Sequence, residues 1–235
     1  MSRARTVAAI FTLTLFLSLT AAALASADEM PHFIKGGKEV TEKLPAKGKI
    51  NSFFIKVPKL EYKILCEGID NAVDIGPKWK TELDIDFTKC TIYNLAGVEV
   101  PNCKVREPIE VDLDGQLVYK AGKKGEEIYD VFYGAGGKTF KGIFFILEIE
   151  GTCPIAGEIP VKGSAVGLPT PKKPKEETEV LKVNFAGEAM PSHEYENFSN
   201  SLVETAGAMT FAGQPAFLEG EVTFELEGKA KFGAE

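Results

Sequence analysis

A chain of 235 residues with 44% apolar, 26% charged and 10% aromatic side chains has the composition of a globular protein, which excludes a disordered or fibrous one. Its 27 basic and 34 acidic side chains give a formal charge of −7, and acids interrupt every lysine-containing stretch, which excludes a nucleic-acid-binding surface. Twenty-three glycines, and sixteen Phe against six Tyr, suit a chain of many turns around an aromatic sheet core.

Residues 1–27 read as a secretory signal. Arg3 and Arg5 form the positive n-region, VAAIFTLTLFLSLT at Val7–Thr20 the apolar h-region, and AAALASADE a small-residue cleavage region. Nineteen apolar-rich residues from Val7 to Ala25 would just span a bilayer. The run ends, however, in Asp28-Glu29 rather than in a positive stop-transfer flank. Removal of Arg3 and Arg5 with the leader leaves 25 basic against 34 acidic side chains, a charge of −9. The expected location is therefore secreted or extracytoplasmic, with no transmembrane segment in the mature chain. Residues 28–48 are polar, rich in Lys, Gly and Pro, and read as a flexible leader.

From residue 49 the chain reads as one β domain. NSFFIKV at Asn51–Val57 and LEYKILC at Leu60–Cys66 are strand candidates, followed by a turn-rich stretch, Glu67–Lys80, that holds the sole tryptophan, Trp79. In TELDIDF, Leu83, Ile85 and Phe87 oppose Glu82, Asp84 and Asp86; in IEVDLD, Ile109, Val111 and Leu113 oppose Glu110, Asp112 and Asp114. A period of two with one charged face predicts antiparallel strands covered on one side and wet on the other. Asp114-Gly115 is expected to be a hairpin turn. Further strands are predicted at Gln116–Lys120, Glu127–Tyr133, Thr139–Glu148, Glu158–Ser164, Glu179–Phe185 and Phe217–Glu227, with ENFSNSLVET at Glu196–Thr205 as the best helix candidate. LPTPKKPKEETE at residues 168–179 reads as a long exposed loop, with a domain linker as the alternative. The predicted fold is all-β, an antiparallel β-sandwich or partly closed β-barrel of about ten short strands.

Four cysteines, Cys66, Cys90, Cys103 and Cys153, allow three disulfide pairings. Cys90–Cys103, closing a loop around IYNLAGVEVPN, and Cys66–Cys153, tying an early strand to a later one, are the expected pair. A zinc site lacks the close Cys pair and has only His32 and His193 to draw on.

The segments DFTKC at Asp86–Cys90, PNC at Pro101–Cys103, GTCPIAGEIPVKGSAVG at Gly151–Gly167 and FAGQPAFLEGEVTFELEG at Phe211–Gly228 resemble uncharacterised secreted all-β proteins of actinobacteria. The likeness implies export, an all-β body and cysteines at these positions, and it carries no catalytic role.

Pairing of the two acidic strands would bring Glu82, Asp84 and Asp86 beside Glu110 and Asp112, a candidate calcium site. The bland reading is a solvated face with basic cover from Lys104, Arg106 or Lys120. Trp79, Tyr93, Tyr133 and Tyr195 lie outside clean core positions and are candidates for a carbohydrate- or peptide-binding platform, against an ordinary aromatic rim. No G-x-S-x-G, H-E-x-x-H or phosphate-binding glycine loop is present, and Ser192-His193-Glu194 are sequence neighbours rather than a triad. The functional expectation is a secreted or envelope-associated, non-enzymatic binding or structural protein whose partner is an envelope, protein or carbohydrate ligand. A calcium-stabilised adhesion-like module, a small-ligand-binding β-barrel and a hydrolase are the alternatives.

Overall fold

A computed structural model of the chain describes residues 30–123, 127–171, 176–187, 192–198 and 201–235. The signal segment, residues 1–27, lies outside the described residues. Pro31–Glu235 forms one compact unit. Seventeen strands lie among the described residues, well above the ten expected. In chain order they are β1 (Phe33–Lys35), β2 (Lys38–Glu39), β3 (Leu44–Val57), β4 (Tyr62–Ile75), β5 (Lys80–Asn94), β6 (Cys103–Val105), β7 (Ile109–Tyr119), β8 (Ile128–Gly134) and β9 (Ile143–Gly151). They continue as β10 (Gly157–Lys162), β11 (Ser164–Thr170), β12 (Val180–Ala186), β13 (His193–Asn197), β14 (Leu202–Ala206), β15 (Met209–Phe211), β16 (Gln214–Leu226) and β17 (Gly233–Ala234).

The protein is all-β, built on a large, partly curled sheet. Eight strands pair in the order β12-β11-β8-β7-β5-β4-β3-β16, and β16 returns to β12, so the hydrogen bonding runs around a ring. All pairings in it are antiparallel. The long β16 makes this possible. Its residues from Glu219 to Glu225 pair with β12, while Gln214–Ala216 pair with β15 and start an extension ordered β15-β10-β9-β6.

Alternation decides which side chains fill the inside. Leu83, Ile85 and Phe87 of β5 and Val111 and Leu113 of β7 are buried, as are Leu181, Val183 and Phe185 of β12 and Val222, Phe224 and Leu226 of β16. They join one hydrophobic cluster with Phe53, Phe132 and Phe144. Outward positions of the same strands carry Asp84, Asp86, Glu110, Asp112 and Lys182, all exposed. That is the reverse of the apolar band a lipid-facing barrel needs. Among the described residues no helix is long and apolar enough to cross a membrane.

Several expectations are corrected. The leader at 28–48 is not loose from Pro31 onward: β1 pairs with both β17 and β2, and the His32 N–H donates to the Glu235 carbonyl at 2.8 Å. β4 runs through most of the stretch read as turns. Asp114-Gly115 sits inside β7, opposite Tyr133 and Phe132 of β8, and is no turn. From Gln116 to Tyr119 the strand is buried on both faces, because a β13–β14 hairpin covers the outer side around Val118, Val131, Tyr133, Phe140, Val166, Tyr195 and Ala206. Where it is described, the expected helix at 196–205 is instead strand: Glu196 and Asn197 end β13, and Leu202–Thr205 lie in β14. Of the loop predicted at 168–179, residues 168–170 belong to β11, and Glu177 accepts the Gly36 and Gly37 N–H groups.

The disulfides are Cys66–Cys90 and Cys103–Cys153, not the expected pairs. Cys66 and Cys90 face each other directly in β4 and β5. Cys103 leaves that region because β6 pairs with β9 in the extension, opposite Gly151, two residues before Cys153.

Candidate functional site

The acidic ladder forms as the sequence predicts. Glu82, Asp84 and Asp86 of β5 stand in register with Asp114, Asp112 and Glu110 of β7. Asp84, Asp86, Glu110 and Asp112 line one open concavity of about 350 Å³, together with Asn71 and Ala72. Glu82 is not part of it; Lys43 pairs with Glu82 and lies 3.7 Å from Asp74. Basic cover therefore comes from Lys43, whereas Arg106 turns to Glu148. Among the described residues no group of three or more His, Cys, Asp or Glu side chains is placed to hold a metal ion.

Like charges directly opposite destabilise a sheet. Asp84→Asn is expected to stabilise the fold by about 0.5 kcal/mol at low salt. The gain should vanish in molar salt, where the Debye length falls to about 3 Å. Urea melts at two ionic strengths read this directly.

The four aromatic candidates do not form one platform. Tyr195 is fully buried beneath the hairpin, 5.3 Å from the ring of Tyr129. Tyr93 lies at the far end of β5 from Trp79, with the Lys63 ammonium 6.0 Å from its ring. Trp79 and Tyr133, by contrast, share a cavity of about 380 Å³, whose lining includes Thr81, Gly115, Lys138 and Phe198. Trp79 precedes β5, and Thr81 is the second residue of that strand. Gly115 crosses behind them on β7, where an added Cβ would lie 2.8 Å from the Phe132 ring and 3.1 Å from the Thr81 Cβ. A side chain at 115 would therefore force Phe132 or Thr81 aside. Phe198 follows β13, its ring centroid 5.8 Å from that of Trp79.

A buried polar network fixes the walls. Gln116 Nε2 donates to Asn197 Oδ1 at 3.1 Å and to the Tyr133 hydroxyl at 3.4 Å, and the Phe198 N–H donates to Gln116 Oε1 at 3.1 Å. Asn197 Nδ2 donates to the Lys138 carbonyl at 3.2 Å. Asp114 accepts the Gly136 N–H at 2.8 Å. The hairpin and the β8–β9 turn are thus tied to β7 at the cavity.

Among the described residues, Trp79 Nε1 and Thr81 Oγ1 have no hydrogen-bond partner. Thr81 is only 1% exposed. Both atoms are shut off from the open space of the cavity, and the Thr81 side chain lies on the inner face of the sheet beside Phe132. Sequence reading named Trp79 and Tyr133 but missed Thr81 and Phe198. Thr81 follows the core phase of TELDIDF and reads as an inward strand residue, while Phe198 sits in the stretch taken for a helix.

A third concavity, of about 440 Å³, lies between Arg106, Glu107, Pro108 and Glu110 and the β9 and β10 residues Ile146, Glu148 and Glu158. Its arginine is already paired with Glu148, and Glu107 accepts the Lys89 and Cys90 N–H groups.

One further group stands apart. Asp130 of β8 is 0% exposed, and neither carboxylate oxygen has a partner among the described residues. It faces inward with Ile128 and Phe132, opposite Leu117 and Gly167. Burial pushes its carboxyl up to about 8.

Comparison with protein-family models, with curated proteins and with solved structures finds no match to this chain.

Proposed function

We propose that the chain is an exported, non-enzymatic protein of the cell envelope or extracellular medium that binds a small ligand in the Trp79 cavity. The observation that carries this reading is the meeting of three aromatic side chains, Trp79, Tyr133 and Phe198, around one cavity. Its volume of about 380 Å³ falls within the usual range for small-molecule sites, about 300–1,000 Å³. Export is supported by the N-terminal charge and hydropathy pattern, by the actinobacterial likeness, and by two disulfides, which persist in oxidising compartments.

Other uses of the fold draw less support. The inside of the strand ring is filled by Leu83, Ile85, Leu113, Phe132, Phe185 and Phe224, which favours the rim cavity over a lumen as the place for a ligand. Among the described residues Thr81 Oγ1 has no hydrogen-bond partner that could serve as a base, and a nucleophile requires one.

A thermal-shift screen of the protein against a fragment library of sugars, amines, carboxylates and short peptides tests the reading. A binder should raise Tm in the wild type and lose that effect in Trp79→Ala, which removes one wall of the cavity. A library without a single shift that Trp79→Ala abolishes would overturn it. Thr81→Val is expected on its own to stabilise the protein by about 1 kcal/mol in urea melts, since it removes a buried hydroxyl without a partner among the described residues and keeps the β-branched shape.

A further inference from the structure

We propose that the outer face of β16, β3, β4 and β5 is a second binding surface, separate from the Trp79 cavity, and that it takes an acidic polysaccharide. Register puts four side chains in one row across these strands. Phe217 stands opposite Lys56, Lys56 opposite Lys63, and Lys63 opposite Tyr93. Their chain neighbours Ala216, Ile55, Ile64 and Ile92 are buried in the core, so by alternation all four point outward. Phe54 and Leu65 lie opposite each other in the next outward row. All six are half-buried.

Two features of this face are costly without a guest. Like charges directly opposite destabilise a sheet, and Lys56 and Lys63 are such a pair. Three aromatic rings on the water-facing side forgo the burial that their apolar surface favours. The Lys63 ammonium lies 5.1 Å from the centroid of the Phe54 ring and 6.0 Å from that of Tyr93, so the rings hold its charge against the face. An anion arriving between the lysines offsets their repulsion, and an apolar surface laid on the rings removes them from water.

A polysaccharide with carboxylates brings both at once, because its sugar rings present C–H faces and its acid groups repeat along the chain. The row spans three strand spacings, about 14 Å, which is longer than one sugar ring and fits a chain. Lysine is depleted at the centre of protein–protein interfaces, so a lysine pair in the middle of the row speaks against a folded protein partner. Charge sets the limits of the surface. Further along β5 the outward side chains are Asp86 and Asp84, and Glu219 stands beside Phe54, so a polyanion is confined to the lysine end of the face.

Isothermal titration calorimetry with polygalacturonate tests the assignment, beside dextran as a neutral glycan, polyglutamate as a polyanion without sugar, and single-stranded DNA. Saturable binding of polygalacturonate is expected, weakening as salt rises. It should fall by about ten-fold in Lys63→Gln, the loss of one charge-assisted hydrogen bond, and persist in Lys63→Arg and in Trp79→Ala. Equal affinity in Lys63→Gln, or loss in Trp79→Ala, would overturn the placing of the ligand on this face. Dextran, polyglutamate or DNA binding as tightly as polygalacturonate would overturn the ligand class. No response to any polymer would overturn the surface itself while leaving the Trp79 cavity reading in place.

Discussion

Asp130→Asn should make the fold more stable than the wild type at neutral and alkaline pH, with a difference that grows from about pH 4 to about pH 8. The carboxyl lies fully inside the strand ring, without a hydrogen bond, and burial alone pushes it up to about 8 from an ordinary value near 3.8. Folding therefore favours the protonated form. Below the unfolded value both states bind the proton and the group is neutral for stability. Between the two values the unfolded chain releases it and the folded chain keeps it, so stability falls as pH rises. Above about 8 both are ionised and the full penalty is present. A displacement of this size corresponds to a penalty on the order of 5 kcal/mol. Asn keeps the shape and cannot ionise. Urea denaturation of both proteins from pH 4 to 9 reads the difference free of the other carboxylates, which are common to the pair. A difference that stayed flat across that window would mean Asp130 is hydrated or paired in solution.

Loss of the Cys103–Cys153 disulfide should be the most damaging covalent change. It closes 50 residues of chain, against 24 for Cys66–Cys90. Loop-closure entropy assigns about 4 kcal/mol to the first and about 3 to the second. For a chain of this size the larger loss lowers Tm by about 8–16 °C. The local setting points the same way, since β6 is a three-residue edge strand held only by β9. Access differs as well. Cys66 and Cys90 are 4% and 8% exposed, whereas Cys103 and Cys153 are half-buried at the end of the extension. Mild reductant should open Cys103–Cys153 first. Calorimetry of a Cys103→Ser/Cys153→Ser double variant, with peptide mapping of the partly reduced wild type, checks both statements. Equal melting of variant and wild type would show that the bridge adds no stability.

Much of the sheet was legible because its chemistry is local. TELDIDF and IEVDLD alternate so strictly that their burial, their antiparallel pairing and the acidic ladder follow from side-chain direction alone. The same rule misled where a second layer intervenes. GQLVY follows DLD without a break, yet its outer face is covered by a hairpin 80 residues away in sequence, so a continuous strand looked like a turn and a new start. ENFSNSLVET, whose period is ambiguous, forms part of that hairpin.

The amino-acid sequence by itself determined which residues face inward along each strand, the antiparallel all-β class and the charge of the outer surface. These follow from a period of two and from the cost of burying charge, both carried by neighbouring residues. The tertiary structure alone decided the ring closure of β16 on β12, the partners of the four cysteines, the isolation of Asp130 and the meeting of Trp79, Thr81, Tyr133 and Phe198 at one cavity. Each depends on which strands lie side by side, and backbone hydrogen bonds are identical from strand to strand. Only the summed packing of every side chain selects among the possible neighbours, and no short stretch of sequence contains that sum.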